Sequence, residues 1–306
     1  MLKTLTDTIM TTGGTLAQRA YIAPTSVQAA VDALAGAGDR GRVLGGGTDL
    51  IVQMRAGRVK PALIVDLKAV PGAVGVRQGA DGGFVIGAAT SGAALGEHAA
   101  LGKAWPGVVE GMNLIGSTQV QGRATLAGNL CNASPAADSV PPLVAARAVA
   151  VVAGPSGQRE VPVEQIPVGP GKTSLGPGEF IVEFRLPSRA ARASDAYLRF
   201  IPRTEMDIAV VGAGVNLTLD ASGVVTEAHV ALGAVAPTAL LVPDAGAALL
   251  GSKLDEAALE KLDAAARAAC RPISDKRGTA EYRTQIAGVL ARRAALIAYS
   301  RAGERA

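Results

Sequence analysis

The chain has 306 residues, 30 Lys and Arg against 26 Asp and Glu, and a net charge of only +4, scattered rather than gathered in a stripe. With 3% aromatic residues this disfavours nucleic-acid binding, while the length allows two or three subdomains and more than one hydrophobic core. Its two cysteines, Cys131 and Cys270, are far apart and form no CxxC pair, so this chain builds no zinc or iron–sulfur site of its own.

The opening MLKTLTDTIMTTGGTLAQRA lacks the apolar core of a secretory signal, and no apolar run is long enough to span a bilayer. We therefore expect a cytoplasmic protein, with residues 1–20 as an N-terminal extension. From Ser26 to Leu34, the residues Val27, Ala30, Val31 and Leu34 recur at helical spacing behind Pro24-Thr25-Ser26, and Gly36 and Gly38 end that helix. Val43-Leu44 reads as a buried strand, Leu50 to Met54 as a helical turn and Leu63 to Leu67 as a second strand. This gives a small αβ unit over residues 21–60. Phe84 to Ala88 reads as a strand after the Asp81-Gly82-Gly83 turn, and Thr90 to Ala100 as a helix capped by Thr90 or Ser91.

After Pro141-Pro142 the run LVAARAVAVVAG predicts a helix passing into a strand, and Gly154-Pro155-Ser156-Gly157 a hairpin turn. Pro167 to Gly178 reads as a loop; its Gly171-Lys172-Thr173 is no P-loop, because Ile166 stands where that motif needs glycine. The small, basic stretch SRAARAS marks a boundary between Pro187 and Asp195. Beyond it Ala209 to Leu219 and Val224 to Leu232 read as strands joined at Asp220-Ala221-Ser222-Gly223, and Leu254 to Ala269 and Ala280 to Tyr299 as amphipathic helices.

Two glycine-bearing segments carry the chemistry: VLGGGTDLIVQMRAG from Val43 to Gly57 and RATLAGNLCNASPAADSVPPL from Arg123 to Leu143. In the first, Gly45, Gly46 and Gly47 let the chain turn sharply where side chains are absent, so that backbone N–H groups can converge on a phosphate. The second pairs Thr125 and Gly128 with Asn129 and then places Ser134 and Asp138 where a hydroxyl and a carboxylate could reach a sugar. Two such loops suggest a diphosphate gripped from both sides. His98, on a predicted helix, and His229, within a predicted strand, read as packing or surface residues. No hydrolase or zinc-protease signature accompanies them.

From Ala23 onward the chain resembles the FAD-binding medium subunit of the molybdenum hydroxylases, the xanthine dehydrogenase and carbon monoxide dehydrogenase family. The resemblance rests on APTSVQAAVDAL, GGGTDL, VDL at Val65 to Leu67, VIGAATS, IGSTQV, TLAGN, NASPAAD and YLRFIPRTEMDIAVVGAGV, in order and at family-like spacing. Two departures stand out: Ala127 replaces the first glycine of the family's TxGGN loop, and Gln121-Gly122 stand where Arg-Asn is common. Ala127 then needs a backbone angle that a Cβ tolerates.

The resemblance implies an α+β fold: a two-lobed FAD-binding domain of the vanillyl-alcohol oxidase (PCMH) type over residues 21–190, with lobes at 21–60 and 61–190. A small α+β C-terminal domain of carbon monoxide dehydrogenase flavoprotein type follows over 191–306. It further implies that Leu44, Gly45, Gly46, Gly47, Thr48, Asp49 and Leu50 wrap the diphosphate and ribityl chain, that Thr125, Gly128 and Asn129 oppose them, that Ser134 also belongs to the cofactor site, and that Asp138 points toward the adenosine ribose. Read from the residues alone, Asp138 is equally a helix N-cap before PPLVAA. Ile115, Ile181 and Arg199 match family positions near the flavin ring, although the two isoleucines alone would be read as core. Tyr197 and Phe200 match a stretch beside the ring and could shield it or belong to an ordinary core. Arg203 and Asp207 could pair or orient this segment, and their spacing at i and i+4 would suit a helix surface equally well.

The function implied is the FAD-carrying, electron-transferring subunit of a heterotrimeric molybdenum hydroxylase, taking electrons from [2Fe-2S] clusters of a small partner. A large partner would carry the molybdopterin cofactor, and a dimer of such heterotrimers is among the assemblies the resemblance allows. Alternatives are a nucleotide-binding or assembly module that has lost its flavin and a self-contained flavin oxidase. Neither the substrate nor the electron acceptor leaves a mark in the chain.

Overall fold

The computed structural model describes residues 19 to 305; the expected extension over 1–20 therefore lies almost wholly outside the described residues. The first lobe comprises β1 (Ala20–Ile22), α1 (Val27–Ala37), β2 (Gly41–Leu44), α2 (Leu50–Arg55) and β3 (Leu63–Asp66). Its strands form a parallel sheet in the order β1-β3-β2, with Leu44 beside Asp66. Ser26 caps α1 by accepting the N–H of Ala29, and Ala30, Val31 and Leu34 face the core as their spacing dictates. Two expectations change. β3 is the centre of the sheet, so the lobe runs past residue 60, and β2 is an edge strand, only partly buried.

The second lobe begins with β4 (Val76–Gln78) and β5 (Phe84–Gly87) and continues through α3 (Gly92–Gly96), α4 (Ala99–Ala104), α5 (Pro106–Asn113), α6 (Thr118–Gln121), α7 (Leu126–Cys131) and α8 (Val140–Ala145). Then come β6 (Val149–Gly154), β7 (Gly157–Pro162), β8 (Pro167–Gly169), β9 (Lys172–Thr173) and β10 (Phe180–Leu186). Five of these strands pair antiparallel in the order β4-β5-β10-β6-β7. The helix expected from Thr90 to Ala100 is two helices. Ser91 caps α3 through the N–H of Ala94, and His98 ends that run by accepting the N–H of Leu101 at its Nδ1 to start α4. The expected loop from Pro167 to Gly178 contains the β8–β9 hairpin, and Ile166 is buried core.

The C-terminal part carries β11 (Ala193–Phe200), β12 (Val211–Leu219), β13 (Val225–Gly233) and β14 (Leu240–Leu241) in one antiparallel sheet, then α9 (Pro243–Ala247), α10 (Glu256–Ala269) and α11 (Ala280–Gly303). The strands alternate. Val211, Ala213, Val215, Leu217 and Leu219 of β12 join Leu259, Leu262 and the alanines of α11 in one core. Gly212, Gly214 and Asn216 face the other way: Gly214 meets α8 of the second lobe, Gly212 the Tyr197 ring and Asn216 the Arg189 guanidinium. A Cβ on Gly214 would lie 2.9 Å from the Pro141 carbonyl, and one on Gly107 2.6 Å from Asp195. Glycine lets the two domains touch backbone to backbone.

Polar groups, buried or partly buried, seal this junction. The Arg189 guanidinium lies 3.6 Å from the centroid of the Trp105 ring and donates to Asp195 at 2.5 Å, to Asn216 at 2.6 Å and to the Ala104 carbonyl at 2.6 Å. Arg301 of α11 donates to Glu110 of α5 at 2.5 Å, and Glu110 in turn accepts the N–H of Tyr197.

Candidate functional site

The first glycine loop leaves the C-terminal end of β2, next to the end of β3, where open parallel sheets hold ligands. Gly47 has φ of +85°, a conformation that L side chains seldom adopt, and its carbonyl accepts the N–H of Ile51 to start α2. Among the described residues, the backbone N–H groups of Gly45, Gly46, Gly47, Thr48 and Asp49 have no protein acceptor. Gly46 is fixed by the second loop: a Cβ there would lie 1.9 Å from the carbonyl oxygen of Arg123. The glycines thus turn the chain and also let the two loops abut.

The second loop is α7 with its flanks. Thr125 Oγ1 accepts the N–H of Gly128, capping the helix, and sits 3.0 Å from where a Gly45 Cβ would be. Ala127 lies inside α7 at an ordinary helical angle, so the departure from TxGGN costs no strain. Asn129 Oδ1 accepts from the backbone N–H and hydroxyl of Ser139. Asn132, which sequence reading passed over, donates to Asp49 at 3.2 Å and accepts from Gln53 at 2.9 Å, tying the second loop to α2.

Between the loops lies a cavity of about 440 Å³, within the usual range for small-molecule sites. Its wall brings together Gly45, Gly46, Gly47, Thr48, Asp49, Leu50, Ile115, Thr125, Gly128, Asn129 and Ile181. Arg42, Gln53, Asn132 and Phe180 join them unforeseen; Gln53 and Asn132 lie within the two glycine-bearing segments, and Arg42 and Phe180 reach the site through tertiary placement. Leu44 lies directly beside the wall, next to Gly47. Cys131 lines the cavity as well, but burial pushes its thiol up to about 12, so it is no ready nucleophile. Among the described residues, no three His, Cys, Asp or Glu side chains gather where they could hold a metal ion.

Residues 15–189 match the family described as the FAD binding domain in molybdopterin dehydrogenase, and residues 196–298 that described as the CO dehydrogenase flavoprotein C-terminal domain. The chain belongs to this flavoprotein family. It is similar to the carbon monoxide dehydrogenase medium chain of Afipia carboxidovorans, 36% identical over 92% of this chain and 97% of that one. It is also similar to the xanthine dehydrogenase FAD-binding subunit of Escherichia coli O157:H7, 28% identical over 86% and 90%. A solved carbon monoxide dehydrogenase from Hydrogenophaga pseudoflava, a form lacking the Mo-pyranopterin moiety of its cofactor, superposes with a TM-score of 0.87 at 34% identity over 92% and 97%. This chain is accordingly an FAD-binding medium subunit of the molybdenum hydroxylases, with a PCMH-type domain ahead of its C-terminal domain.

The flavoprotein's cavity fits that cofactor: it lies between two lobes and is lined both by unpartnered backbone N–H groups and by the apolar Ile115, Phe180 and Ile181. Other implied residues lie elsewhere. Asp138 is buried off the cavity wall, with Oδ1 accepting from the Tyr197 hydroxyl at 2.8 Å and Oδ2 from Arg199 at 2.6 Å. Burial pushes the Asp138 carboxyl up, opposed by Arg199 and Tyr197. The Tyr197 phenol is pushed well above its ordinary value by burial and by Asp138, so it stays a donor. The N-cap position of α8 is held by Ser139, not Asp138.

Strand alternation separates Tyr197 from Phe200. Tyr197 and Arg199 of β11 face the second lobe, whereas Phe200 faces the C-terminal core and packs edge-on to Tyr282, with ring centroids 5.8 Å apart. Ser134 serves its own turn by accepting the N–H of Ala136. Arg203 pairs with Asp207 at 3.1 Å, but in a bend and not on a helix. His98 packs edge-on to Phe84, and His229 meets Glu227 at 3.0 Å, consistent with structural and surface roles.

Proposed function

We propose that this chain is the electron-transfer subunit of a heterotrimeric molybdenum hydroxylase, receiving electrons from [2Fe-2S] clusters on a small partner and passing them to an external acceptor. A large partner would carry the molybdopterin cofactor and bind the substrate. The observation that carries the reading is the cavity closed by two glycine loops in a chain whose nearly full length aligns with medium chains of such complexes. Bound there, FAD supplies the redox chemistry, and the protein supplies binding and orientation.

The residues divide the work. Gly45 to Asp49 would present N–H donors to the diphosphate, aided by the positive charge of Arg42 at the cavity wall. Ile115, Phe180 and Ile181 would exclude water from the flavin end. Thr125, Gly128 and Asn129 would close the opposite wall. Cytoplasmic placement and a dimer of heterotrimers belong to the same proposal; among the described residues no helix is long and apolar enough to cross a membrane. We also assign residues 21–190 to the flavin domain and 191–306 to the C-terminal domain.

Acid precipitation of the purified chain should release FAD, not FMN. Carbon monoxide and xanthine, the substrates named for its relatives, would be added anaerobically with other candidates to the chain alone and to its complex with partners. Flavin bleaching is expected only in the complex. Bleaching in the isolated chain would favour a self-contained oxidase.

A further inference from the structure

We propose that Lys68, Asp66 and Tyr21 are positioning residues for the cofactor's diphosphate, acting by fixing the orientation of the Gly45–Gly46 peptide. The inference rests on the reading of the cavity as the FAD site. Lys68 Nζ donates to the Gly45 carbonyl oxygen at 3.2 Å. That peptide is trans, so its C=O and the N–H of Gly46 point in opposite directions. Lys68 stands off the cavity wall while Gly45 and Gly46 form part of it, so drawing the carbonyl toward Lys68 turns the Gly46 N–H toward the cavity. A cationic donor on the carbonyl also polarises the peptide and makes that N–H a stronger donor.

Lys68 is itself held. Asp66 Oδ1 meets Lys68 Nζ at 2.6 Å and accepts the backbone N–H of Lys68 at 3.0 Å, while Asp66 Oδ2 accepts the Tyr21 hydroxyl at 2.6 Å. These groups come from adjacent strands. Tyr21 lies on β1 and Asp66 ends the central β3, directly beside Leu44 of β2, one residue before the glycines. Asp66 is 5% exposed, so a buried carboxylate anchors a lysine whose remaining reach is to the loop. An isolated surface ion pair would require neither the burial nor the tyrosine.

Binding of FAD to the apo-chain, followed by flavin fluorescence, tests the proposal, with ADP as a competitor and riboflavin as a phosphate-free probe. Lys68→Met should weaken FAD and ADP by about tenfold, the scale of one charge-assisted hydrogen bond, and leave riboflavin unchanged. Lys68→Arg should recover most of the loss, because a guanidinium can also donate to the Gly45 carbonyl. Asp66→Asn should fall between, and Tyr21→Phe should show the smallest loss. Unchanged FAD and ADP affinity in Lys68→Met, or an equal loss of riboflavin, would overturn the positioning role while leaving the FAD site standing. A Gly47→Val chain that bound FAD like the native one would overturn both readings.

Discussion

The two glycine-bearing loops look alike as sequence and behave differently as structure. In the Gly45–Asp49 loop the backbone lines the cavity: five consecutive N–H groups lack a protein acceptor among the described residues, and Lys68 donates to the Gly45 carbonyl. In the 125–138 stretch the polar side chains are occupied by the protein itself. Thr125 caps α7, Asn129 binds Ser139, Asn132 bridges Asp49 and Gln53, and Asp138 holds Tyr197 and Arg199. One loop presents donors; the other braces them. Residue type alone does not separate these roles, because a threonine or aspartate that could meet a sugar can equally satisfy a helix end or a buried arginine.

Breaking the bracing side should act first on stability. Asp138→Ala would leave the Arg199 guanidinium, 6% exposed, without its carboxylate partner, at a cost of about 3–5 kcal/mol. Thermal melting of the apo-chain should register it. A loss confined to FAD affinity, with melting unchanged, would instead return Asp138 to the cofactor.

Breaking the presenting side should act on affinity. Gly46→Ala places a Cβ against the Arg123 carbonyl, forcing the loops apart at roughly 1–3 kcal/mol. We expect FAD to bind ten- to a hundredfold more weakly, about that energy, as read by fluorescence titration. Thr125→Ala, which removes only a cap, should cost about 1 kcal/mol of stability in denaturant unfolding.

The finest test is pH. Burial alone would raise the Asp66 carboxyl, but hydrogen bonds from Lys68 and Tyr21 outweigh it and hold the group below its usual range. Its stabilisation is therefore present above about pH 4, the unfolded value, and is lost as pH falls through the lower folded value. Tyr21 moves the other way: its hydrogen bond to Asp66, then burial, raise the phenol to about 12. That stabilisation is present below about pH 10 and is lost as pH rises through about 12. Ultraviolet titration of native and Tyr21→Phe chains should show one high-titrating phenol missing from the variant. A phenol lost near pH 10 instead would mean that Tyr21 is free of Asp66.

Sequence by itself determined the parts governed by near neighbours. Ser26 and its apolar repeat gave α1, Asp220 to Gly223 the turn into β13, and the glycines the sharp turn after β2, because caps, turns and positive φ depend on a few adjacent residues. It did not reveal that His98 would split a helix, since an imidazole accepting a backbone N–H leaves no periodic trace. Nor did it separate Tyr197 from Phe200, because only a strand, where odd offsets place side chains on opposite faces, sends one to Asp138 and the other to the C-terminal core. The tertiary structure alone decided the partners: Asn132 with Gln53, Lys68 with Gly45, Arg301 with Glu110 across 191 residues. Such pairs are set by how sheets and helices stack after the chain returns, and a buried polar group finds its partner in space rather than in sequence order.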